Sequence, residues 1–303
     1  MPKQGDEANS PAQPMRARRT SDGPRGLLDL ASGRRHFRLS RYHASDELSF
    51  FVEHFWIVEW ELPENRTFQQ QSLPHPSVHI AVERGRAEVV GITRGKFVRV
   101  LQGRGRVFGI KFCPGAFHPF VRVPVSQFTN RAVPVSKVFG RAGTRFADAV
   151  IADPDADRNV ALAQEFLCLL RAPRDENVPL VKGIVEQVAA DRNINKVDDL
   201  AAVALISKRA LQRLFARYVG VSPKWVIQRY RLLEAVESIK QGETMDWAKL
   251  AVDLGYFDQA HFITCFKRFV GQTPDDNARS LGTGTTAEAA TNVSSDNLRR
   301  SPL

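Results

Sequence analysis

The chain contains little that would indicate a disulfide-stabilised, zinc-binding or membrane-spanning protein. Its 303 residues include 3 cysteines, at positions 113, 168 and 265, and no pair of them has Cys-x-x-Cys spacing. This argues against a disulfide framework or a zinc finger and fits a reducing cytoplasm. No stretch approaches the roughly 18 apolar residues that a membrane span needs. The first apolar cluster, residues 27–30, is too short for a signal peptide. We therefore expect a cytoplasmic protein with no membrane partner.

Acidic residues are also fewer than basic ones. The chain has 33 Asp and Glu against 43 Lys and Arg, which gives a net charge of +10 and a pI near 9.8. Such a balance favours an anionic partner, with nucleic acid ahead of a membrane surface. Between residues 207 and 231 every charged side chain is basic: Lys208, Arg209, Arg213, Arg217, Lys224, Arg229 and Arg231. The local run indicates a nucleic-acid partner more strongly than the total charge does.

The stretch 250–274 has the pattern of two helices joined by a short turn. Apolar residues recur at helical spacing on both sides of the turn: Trp247, Leu250, Ala251 and Leu254 before it, and Phe262, Phe266 and Phe269 after it. Gly255 supplies the left-handed residue that ends the first helix, and Asp258 is a capping residue for the second. Gly271 and Pro274 end the second helix. The sequence therefore predicts a helix-turn-helix whose second helix has a polar, partly basic outer face, as a major groove requires.

The same unit occurs a second time, at residues 200–223. The order Leu-Ala, turn, polar helix start, Phe, Gly and Pro is repeated, so that Phe215, Gly220 and Pro223 match Phe266, Gly271 and Pro274. Ser207 is the expected N-cap of a helix over 207–218 whose inward residues are Leu211, Leu214, Phe215 and Tyr218. A repeat of this kind is hard to obtain by chance.

These residues resemble the C-terminal DNA-binding domain of AraC/XylS-type transcription regulators. The resemblance covers residues 178–279 and is most specific in the run GYFDQAHFITCFKRFVGQTP. It implies two helix-turn-helix units that read successive major grooves, joined by one long helix. That helix is predicted over 223–240, with Pro223 in its first turn and a buried stripe of Val226, Tyr230, Leu233, Val236 and Ile239. The two reading helices should lie about one turn of DNA apart, ~34 Å, so the DNA must bend or the contacts must be unequal.

The resemblance also implies which residues contact DNA. It carries base contacts onto Arg209, Gln212 and Arg213 in the first unit and onto Gln259, Ala260, His261 and Thr264 in the second. Further DNA contacts are expected from Ser207, Lys208, Arg217, Asp258, Lys267 and Arg268. Leu205 occupies a turn position that is usually Gly in the family, so the first turn is expected to be tighter or packed differently. Ala260 and Thr264 are shorter than the donors common there, which weakens the expected base readout by the second unit.

Residues 37–140 have a different periodicity. Short β-branched and aromatic runs alternate with polar residues and are separated by Gly-rich turns, which predicts a small barrel or sandwich. Residues 45–59 have helical spacing, although FWIVEW can equally begin a strand. The runs ELSFFVEHFWIVEW, LPHPSVHIAVE and RGRVFGIKFCPGAFHPF resemble an N-terminal domain that accompanies some AraC-type regulators and whose ligand is generally not assigned. The resemblance implies signal sensing or dimerisation.

Several side chains in this region suggest chemistry. An apolar effector pocket is predicted from Phe55, Trp56, His79, Phe112 and His118. A metal site built from His75, His79, Glu83 and His118 is disfavoured, since the spacing is not His-x-His and prolines flank His75. We expect no metal and no cofactor. Cys113 is either a thiol sensor, if Lys111 lowers its pKa, or a small buried residue, which is the more common case.

The sequence therefore predicts a multidomain α+β chain. Residues 36–140 form a β-rich sensor or dimerisation domain, 141–177 a helical linker with a break at Pro154, and 178–279 an all-α domain with two helix-turn-helix units joined by a long helix. The linker helices, over 144–170, offer a dimer surface, and residues 171–177 form a hinge. Residues 1–35 and 280–303 are read as disordered tails.

The expected function is sequence-specific regulation of transcription, and the protein is not expected to be an enzyme. The predicted partners are double-stranded DNA, RNA polymerase, a small-molecule effector and a second copy of the chain. One alternative is a DNA-repair alkyl-transfer enzyme, which requires a cysteine activated by a neighbouring base. The other is a non-specific architectural DNA binder, whose affinity for all sequences would fall equally as salt increases.

Overall fold

The structure, a computed structural model, describes residue 19, residues 36–240 and residues 246–282; side chains at 240 and 280–282 are not described. The predicted tails, 1–35 and 280–303, therefore lie outside the described residues, apart from Arg19 and the end of the last helix. Arg19 forms an isolated antiparallel bridge with Tyr42.

An antiparallel sheet forms the N-terminal part of the fold, as the alternating pattern predicted. The strands of this part of the chain are β1 Phe37–Tyr42, β2 Val52–Glu61, β3 Thr67–Ser72, β4 His79–Glu83, β5 Arg86–Val90, β6 Phe97–Gln102, β7 Arg104–Phe112 and β8 Ala132–Pro134. Six of them pair in the order β1-β2-β7-β4-β5-β8, while β3 and β6 form a separate ribbon. A short helix α1, His118–Val121, and a 3₁₀ turn, Val125–Phe128, connect β7 to β8.

The helical interpretation of residues 45–59 is wrong, because the second half of this segment is strand β2. Phe55 and Ile57 point into the core, with 0% and 2% exposure, while the intervening Trp56 is half-buried. β2 pairs with β1 on one side and β7 on the other. Partly buried large side chains on the other face of β2, such as Trp56 and Val58, weaken the apolar–polar alternation that normally marks a strand.

Two helices cover one face of the sheet and share its core. They are α2, Val135–Ala152, and α3, Ala156–Leu169, which confirms helices separated near Pro154. The rings of Phe146 on α2 and Phe166 on α3 stack with centroids 4.5 Å apart, and Phe146 meets Phe108 of β7 at 6.5 Å. Since their aromatic residues belong to the same apolar cluster as the strands, residues 36–170 are hereafter called the sheet domain.

The remaining helices form the helix-turn-helix domain, residues 177–282. They are α4 Asn177–Ala190, α5 Val197–Val203, α6 Lys208–Tyr218, α7 Pro223–Lys240, α8 Trp247–Asp253, α9 Gln259–Val270 and α10 Pro274–Gly282. Helices α5 and α6 form the first predicted unit, α8 and α9 the second, and α7 is the predicted joining helix. Within residues 36–240 and 246–282, no helix is both long and apolar enough to cross a membrane.

The two domains are packed against each other. Leu73 and Ile92 of the sheet domain are buried, with 4% and 3% exposure, in the core of the helix-turn-helix domain. The indole N–H of Trp225, in the first turn of α7, donates to the carbonyl of Arg94 at 3.1 Å. The predicted hinge, residues 171–177, is also bonded to the helix-turn-helix domain, because the hydroxyl of Tyr218 on α6 donates to Asp175 at 2.6 Å.

Candidate nucleic-acid interface

The two helix-turn-helix units have the same turn. Leu205 and Gly255, at equivalent positions, both adopt the left-handed conformation, with φ of 54° and 70°. In each unit the N–H of this residue and that of the next one donate to carbonyls at the end of the preceding helix: Leu205 to Ala202, Ile206 to Ala201, Gly255 to Val252 and Tyr256 to Ala251. The first turn is therefore not tighter than the second, as the prediction for Leu205 allowed, and the packing differs in that the Leu205 side chain is 91% exposed.

The second helix of each unit, α6 or α9, is called its recognition helix below. Both recognition helices begin at a side-chain cap, as predicted. Ser207 Oγ accepts from the backbone N–H of Ala210 at 3.2 Å, and Asp258 Oδ1 accepts from that of His261 at 2.7 Å. Each cap satisfies one N–H group that a helix start leaves without a partner. These two residues therefore fix the N-termini of α6 and α9. The N-terminal residues of a recognition helix are the ones that contact base edges.

The inward faces of α6 and α9 are apolar and buried. Exposure is 0% for Leu211, Phe215, Phe262 and Phe266, 3% for Phe269 and 6% for Tyr218. This confirms the predicted inward residues of these helices, among which Leu214 is half-buried against the same core, and leaves a polar outer face on each. Every residue predicted to contact DNA is exposed: Ser207, Lys208, Arg209, Gln212, Arg213, Arg217, Asp258, Gln259, Ala260, His261, Thr264, Lys267 and Arg268.

Some of these exposed residues are engaged within the protein. Lys208 Nζ donates to Asp198 Oδ2 at 3.0 Å, across a solvent-exposed ion pair. The Thr264 hydroxyl donates to the carbonyl of Ala260, one turn earlier, at 2.9 Å. Exposed ion pairs are worth little, so Lys208 is easily released, whereas Thr264 has its one proton directed away from a ligand.

Arg217 is also engaged within the protein, because the Nε of its guanidinium is hydrogen-bonded to the sheet domain. Its Nε donates to His118 Nε2 at 3.1 Å, while Nδ1 of the same histidine lies 3.0 Å from the carbonyl of Val123. The His118 ring also packs edge-on against Tyr218, with centroids 4.4 Å apart. Arg217 therefore lies at the end of α6 that faces the sheet domain, away from the helix start.

Arg229 and Arg231 also differ from the prediction. Both belong to the basic run that indicated a nucleic-acid partner, yet their exposure is 1% and 0%. They lie on the long helix α7 among apolar residues and have no surface to offer to DNA. Arg229 is three residues after Val226 and four before Leu233, so the predicted apolar stripe itself placed Arg229 on the buried face.

The C-terminal ends of both recognition helices rest on the sheet domain. Gly220 and Gly271 end these helices with φ of 96° and 94°. A Cβ on Gly220 would lie 3.0 Å from the carbonyl oxygen of Val125, and one on Gly271 would lie 2.2 Å from Lys96 Nζ. The Thr129 hydroxyl donates to the carbonyl of Gly220. At Gly220 the neighbour is backbone, so the close approach of the two domains depends on glycine there, whereas at Gly271 the neighbour is the end of the flexible Lys96 side chain, which can move aside.

The predicted effector pocket is not formed by the five proposed residues. Phe55 and Phe112 have 0% exposure and are part of the sheet-domain core. Trp56 and His79 are half-buried and contact each other edge-on, with centroids 6.2 Å apart. His118 lies at the domain contact, as described above. The aromatic residues of this region therefore fill the core and do not line a shared cavity.

The thiol chemistry considered for Cys113 is also not supported. Its side chain is 4% exposed, and burial raises its pKa to about 11. A neutral thiol is a poor nucleophile, which argues against both a thiol sensor and alkyl transfer at this residue. Among the described residues, no group of three or more His, Cys, Asp or Glu is placed to hold a metal ion.

Comparison with known proteins agrees with this geometry. A profile described as a helix-turn-helix domain matches residues 200–280, and a profile described as a domain of unknown function (DUF6597) matches residues 40–134. The chain is 32% identical over 101 residues to PqrA, a probable transcription factor of Proteus vulgaris, which is 33% of this chain and 81% of PqrA.

The chain belongs to the AraC/XylS family. The AraC-type domain is also similar to part of GbdR, an HTH-type transcriptional regulator of Pseudomonas aeruginosa, with 31% identity over 88 residues; the match spans 29% of this chain and 24% of GbdR. A crystal structure of an AraC-type transcriptional regulator from Chromobacterium violaceum is 24% identical, covers 35% of this chain and 96% of its own, and has a TM-score of 0.31.

Proposed function

We propose that this protein is a sequence-specific transcription regulator that binds double-stranded DNA by placing α6 and α9 in successive major grooves. The observation that supports this most strongly is the duplicated unit. Both copies have the same left-handed turn, a side-chain cap, a buried aromatic face and an exposed polar face. A rigid helix with such an outer face fits the major groove.

The proposed base contacts differ between the two helices. In α6, Arg209, Gln212 and Arg213 offer long, exposed donors, and arginine suits bidentate contact with guanine. In α9, Gln259 and His261 are exposed near the helix start, while Thr264 donates to its own helix. We therefore assign most of the sequence readout to α6. Lys208, Lys267 and Arg268 are assigned to phosphate contacts, which position the protein without reading sequence.

The direct test is selection of bound duplexes from a random pool by the full-length protein. A shared motif among the selected duplexes is the expected result. Replacement of Arg213 by Ala should then weaken binding by about 1–3 kcal/mol, and only when one particular base pair is present. The matched control is Arg104→Ala, which removes an exposed arginine from the start of β7, far along the chain from both recognition helices.

Two outcomes would contradict parts of this proposal. Equal weakening by Arg213→Ala on every duplex would reassign Arg213 to a phosphate. If no motif is enriched and binding to all duplexes falls together as salt increases, the protein is a non-specific architectural binder.

The proposal extends to two protein partners, RNA polymerase and a second copy of the chain. Regulation of transcription at a promoter brings the protein next to RNA polymerase, and a dimer doubles the length of DNA that is read. The α2–α3 hairpin leaves apolar side chains exposed, with Ile151 at 42% and Leu169 at 67%. Light scattering at micromolar concentration tests the dimer, and a monomeric mass for the full chain would remove it. Retention of RNA polymerase on a column carrying the DNA-bound protein tests the other contact.

A further inference from the structure

A cavity of about 500 Å³ lies between the two domains. The sheet domain contributes Val52, Glu53 and His75 to its walls. The helix-turn-helix domain contributes Val185 from α4, and Arg229 and Leu233 from α7. Ligand-binding cavities in proteins measure about 300–1,000 Å³ and combine apolar walls with a few polar groups. This cavity has a volume in that range, its walls combine apolar side chains with polar and charged ones, and it is separate from the five residues that the sequence predicted.

Arg229 on the cavity wall has an incomplete set of hydrogen bonds. Its Nε donates to the carbonyl of Pro74 at 2.7 Å. Nη1 and Nη2 are buried and have no hydrogen-bond partner among the residues that the structure describes. The guanidinium lies over the ring of Tyr230, with Cζ 4.5 Å from the centroid. A ring face attracts a cation but does not replace acceptors for the N–H groups in the guanidinium plane.

Arg231, two residues further along the same helix, provides a comparison, because its guanidinium is hydrogen-bonded within the protein. It is as buried as Arg229, with 0% exposure. Its Nη1 donates to both carboxylate oxygens of Glu234, at 2.7 and 2.8 Å, and its Nη2 donates to the carbonyls of Val188 and Asp191. A buried charge is normally paired in this way, because burying an unpaired charge is strongly unfavourable.

The acidic residues on the cavity wall are already engaged with other cations. Glu53 accepts from Lys111 Nζ at 2.7 Å, and Glu234 is bound to Arg231. Glu186 lies 3.9 Å from Lys182 Nζ. None of these contacts supplies an acceptor to Nη1 or Nη2 of Arg229 in the described part of the chain. Nη1 and Nη2 of Arg229 are therefore the two donors on the cavity wall that a ligand with two acceptor oxygens can engage.

We propose that the cavity binds a small carboxylic acid with an apolar body. Its carboxylate accepts hydrogen bonds from Nη1 and Nη2 of Arg229, since the planar guanidinium matches a carboxylate in a bidentate pair. Its body packs against Val52, Val185 and Leu233. The size of the cavity suits a molecule larger than acetate, because most of the ligand surface must be covered by apolar walls.

Occupancy of this cavity affects how the two domains are held together. The acid would contact β2 on one side and α4 and α7 on the other, and α7 connects the two helix-turn-helix units. The sheet domain also contacts the ends of α6 and α9, at Gly220 and Gly271. A ligand that binds one domain arrangement more tightly than another shifts the population toward it. The acid should therefore change DNA affinity, a consequence that rests on the proposed function.

Binding is tested by titration calorimetry on the full chain with acetate, hexanoate and 3-phenylpropionate, and with the uncharged 3-phenylpropionamide as the isosteric control. We expect hexanoate or 3-phenylpropionate to bind, and the amide to bind at least tenfold more weakly than its acid. Arg229→Gln should weaken binding of the acid at least tenfold. The matched control Lys224→Gln, which removes an exposed cation from the first turn of α7, should leave binding unchanged.

A second measurement separates a ligand-binding arginine from a structural one. In urea unfolding, Arg229→Gln should have a midpoint equal to or above that of the wild type, because it removes a buried charge that lacks acceptors. Arg231→Gln should have a lower midpoint, because it breaks the four hydrogen bonds that Nη1 and Nη2 donate to Glu234, Val188 and Asp191. The proposal is overturned if neither larger acid binds, if acid and amide bind equally, if Arg229→Gln retains full affinity, or if it is destabilised as much as Arg231→Gln.

The regulatory consequence is tested by fluorescence anisotropy on a duplex from the selection. Binding of the wild type to this duplex without acid tests the proposed function, and the effect of added acid tests the cavity proposal. Failure of one can therefore be distinguished from failure of the other. The acid should change the Kd of the wild type for this duplex by at least threefold and leave that of Arg229→Gln unchanged. Acid binding at Arg229 with no change in DNA affinity would retain the site and overturn its coupling to DNA.

Discussion

Replacing Leu205 by Gly should stabilise this protein, although it removes a large apolar side chain. Leu205 has φ of 54°, and its side chain is 91% exposed. An L-residue in the left-handed conformation costs about 1–2 kcal/mol relative to its preferred conformations. Glycine removes this cost, and little burial is lost with a side chain so exposed. Glycine also increases the entropy of the unfolded chain, which opposes the gain by about 0.4–1 kcal/mol.

The expected net effect is an increase of about 0.5–1 kcal/mol in the free energy of unfolding, as the difference between these two contributions. Thermal unfolding followed by circular dichroism should show a rise in Tm of about 1–4 °C, since 1 kcal/mol corresponds to about 2–4 °C for a domain of 150–250 residues. The opposite change, Gly255→Ala, should lower stability. Its φ is 70°, and an added Cβ would lie 3.1 Å from the carbonyl oxygen of Asn195.

The control for a general effect of glycine is Ala216→Gly, at an exposed position inside α6. It should cost about 1 kcal/mol, because glycine is a poor helix former. If Leu205→Gly lowers Tm as Ala216→Gly does, then Leu205 is not strained, and the equivalence of the two turns does not hold.

Two other predictions concern the cores of the two domains. Phe266→Ala should destabilise the second helix-turn-helix unit by about 3–5 kcal/mol, as expected for truncation of a fully buried aromatic residue; an unchanged cooperative melt would contradict this. Burial lowers the pKa of His54 to about 2, so the folded protein holds it neutral while the unfolded chain protonates it below about pH 6.5. Stability should therefore fall as pH decreases below 6.5, with about 2 kcal/mol from His54 at pH 5. His54→Gln should reduce the pH dependence of the urea midpoint below pH 6.5 but not abolish it, because burial also lowers the pKa values of His75 and His79.

The helix-turn-helix domain was predictable because its signals are local. Caps, left-handed glycines and phenylalanines at helical spacing each act within a few residues, so the sequence at Ser207, Asp258 and Gly271 specifies the structure directly. Strand β2 was harder to predict, because large apolar side chains occur on both of its faces and its pairing partner β7 is distant in sequence. The short-range pattern at Phe51 and Phe55 also fits a helix, and only pairing with β1 and β7 decides between them.

The domain contact was harder still to foresee. Arg217 and Arg229 carry the same charge as the arginines proposed to contact DNA, and their type alone does not show which face of the helix they occupy. Their partners, His118 and Pro74, lie in the other domain. The cavity has no sequence signature, because its walls come from segments that are far apart in the chain. The position of Arg229 within an apolar stripe of α7 was the one available sign that it is not a surface residue.

The contacts of the sheet domain at Gly220 and Gly271 have a consequence for how binding sites are measured. In the full chain, the separation of the two recognition helices is set both by α7 and by a second, independent support that touches each helix end. In a truncated protein that begins at residue 177, only α7 fixes the separation of the two recognition helices. Libraries screened with the truncated protein should therefore yield operators with a wider range of spacer lengths between the two contacted base groups than libraries screened with the full chain.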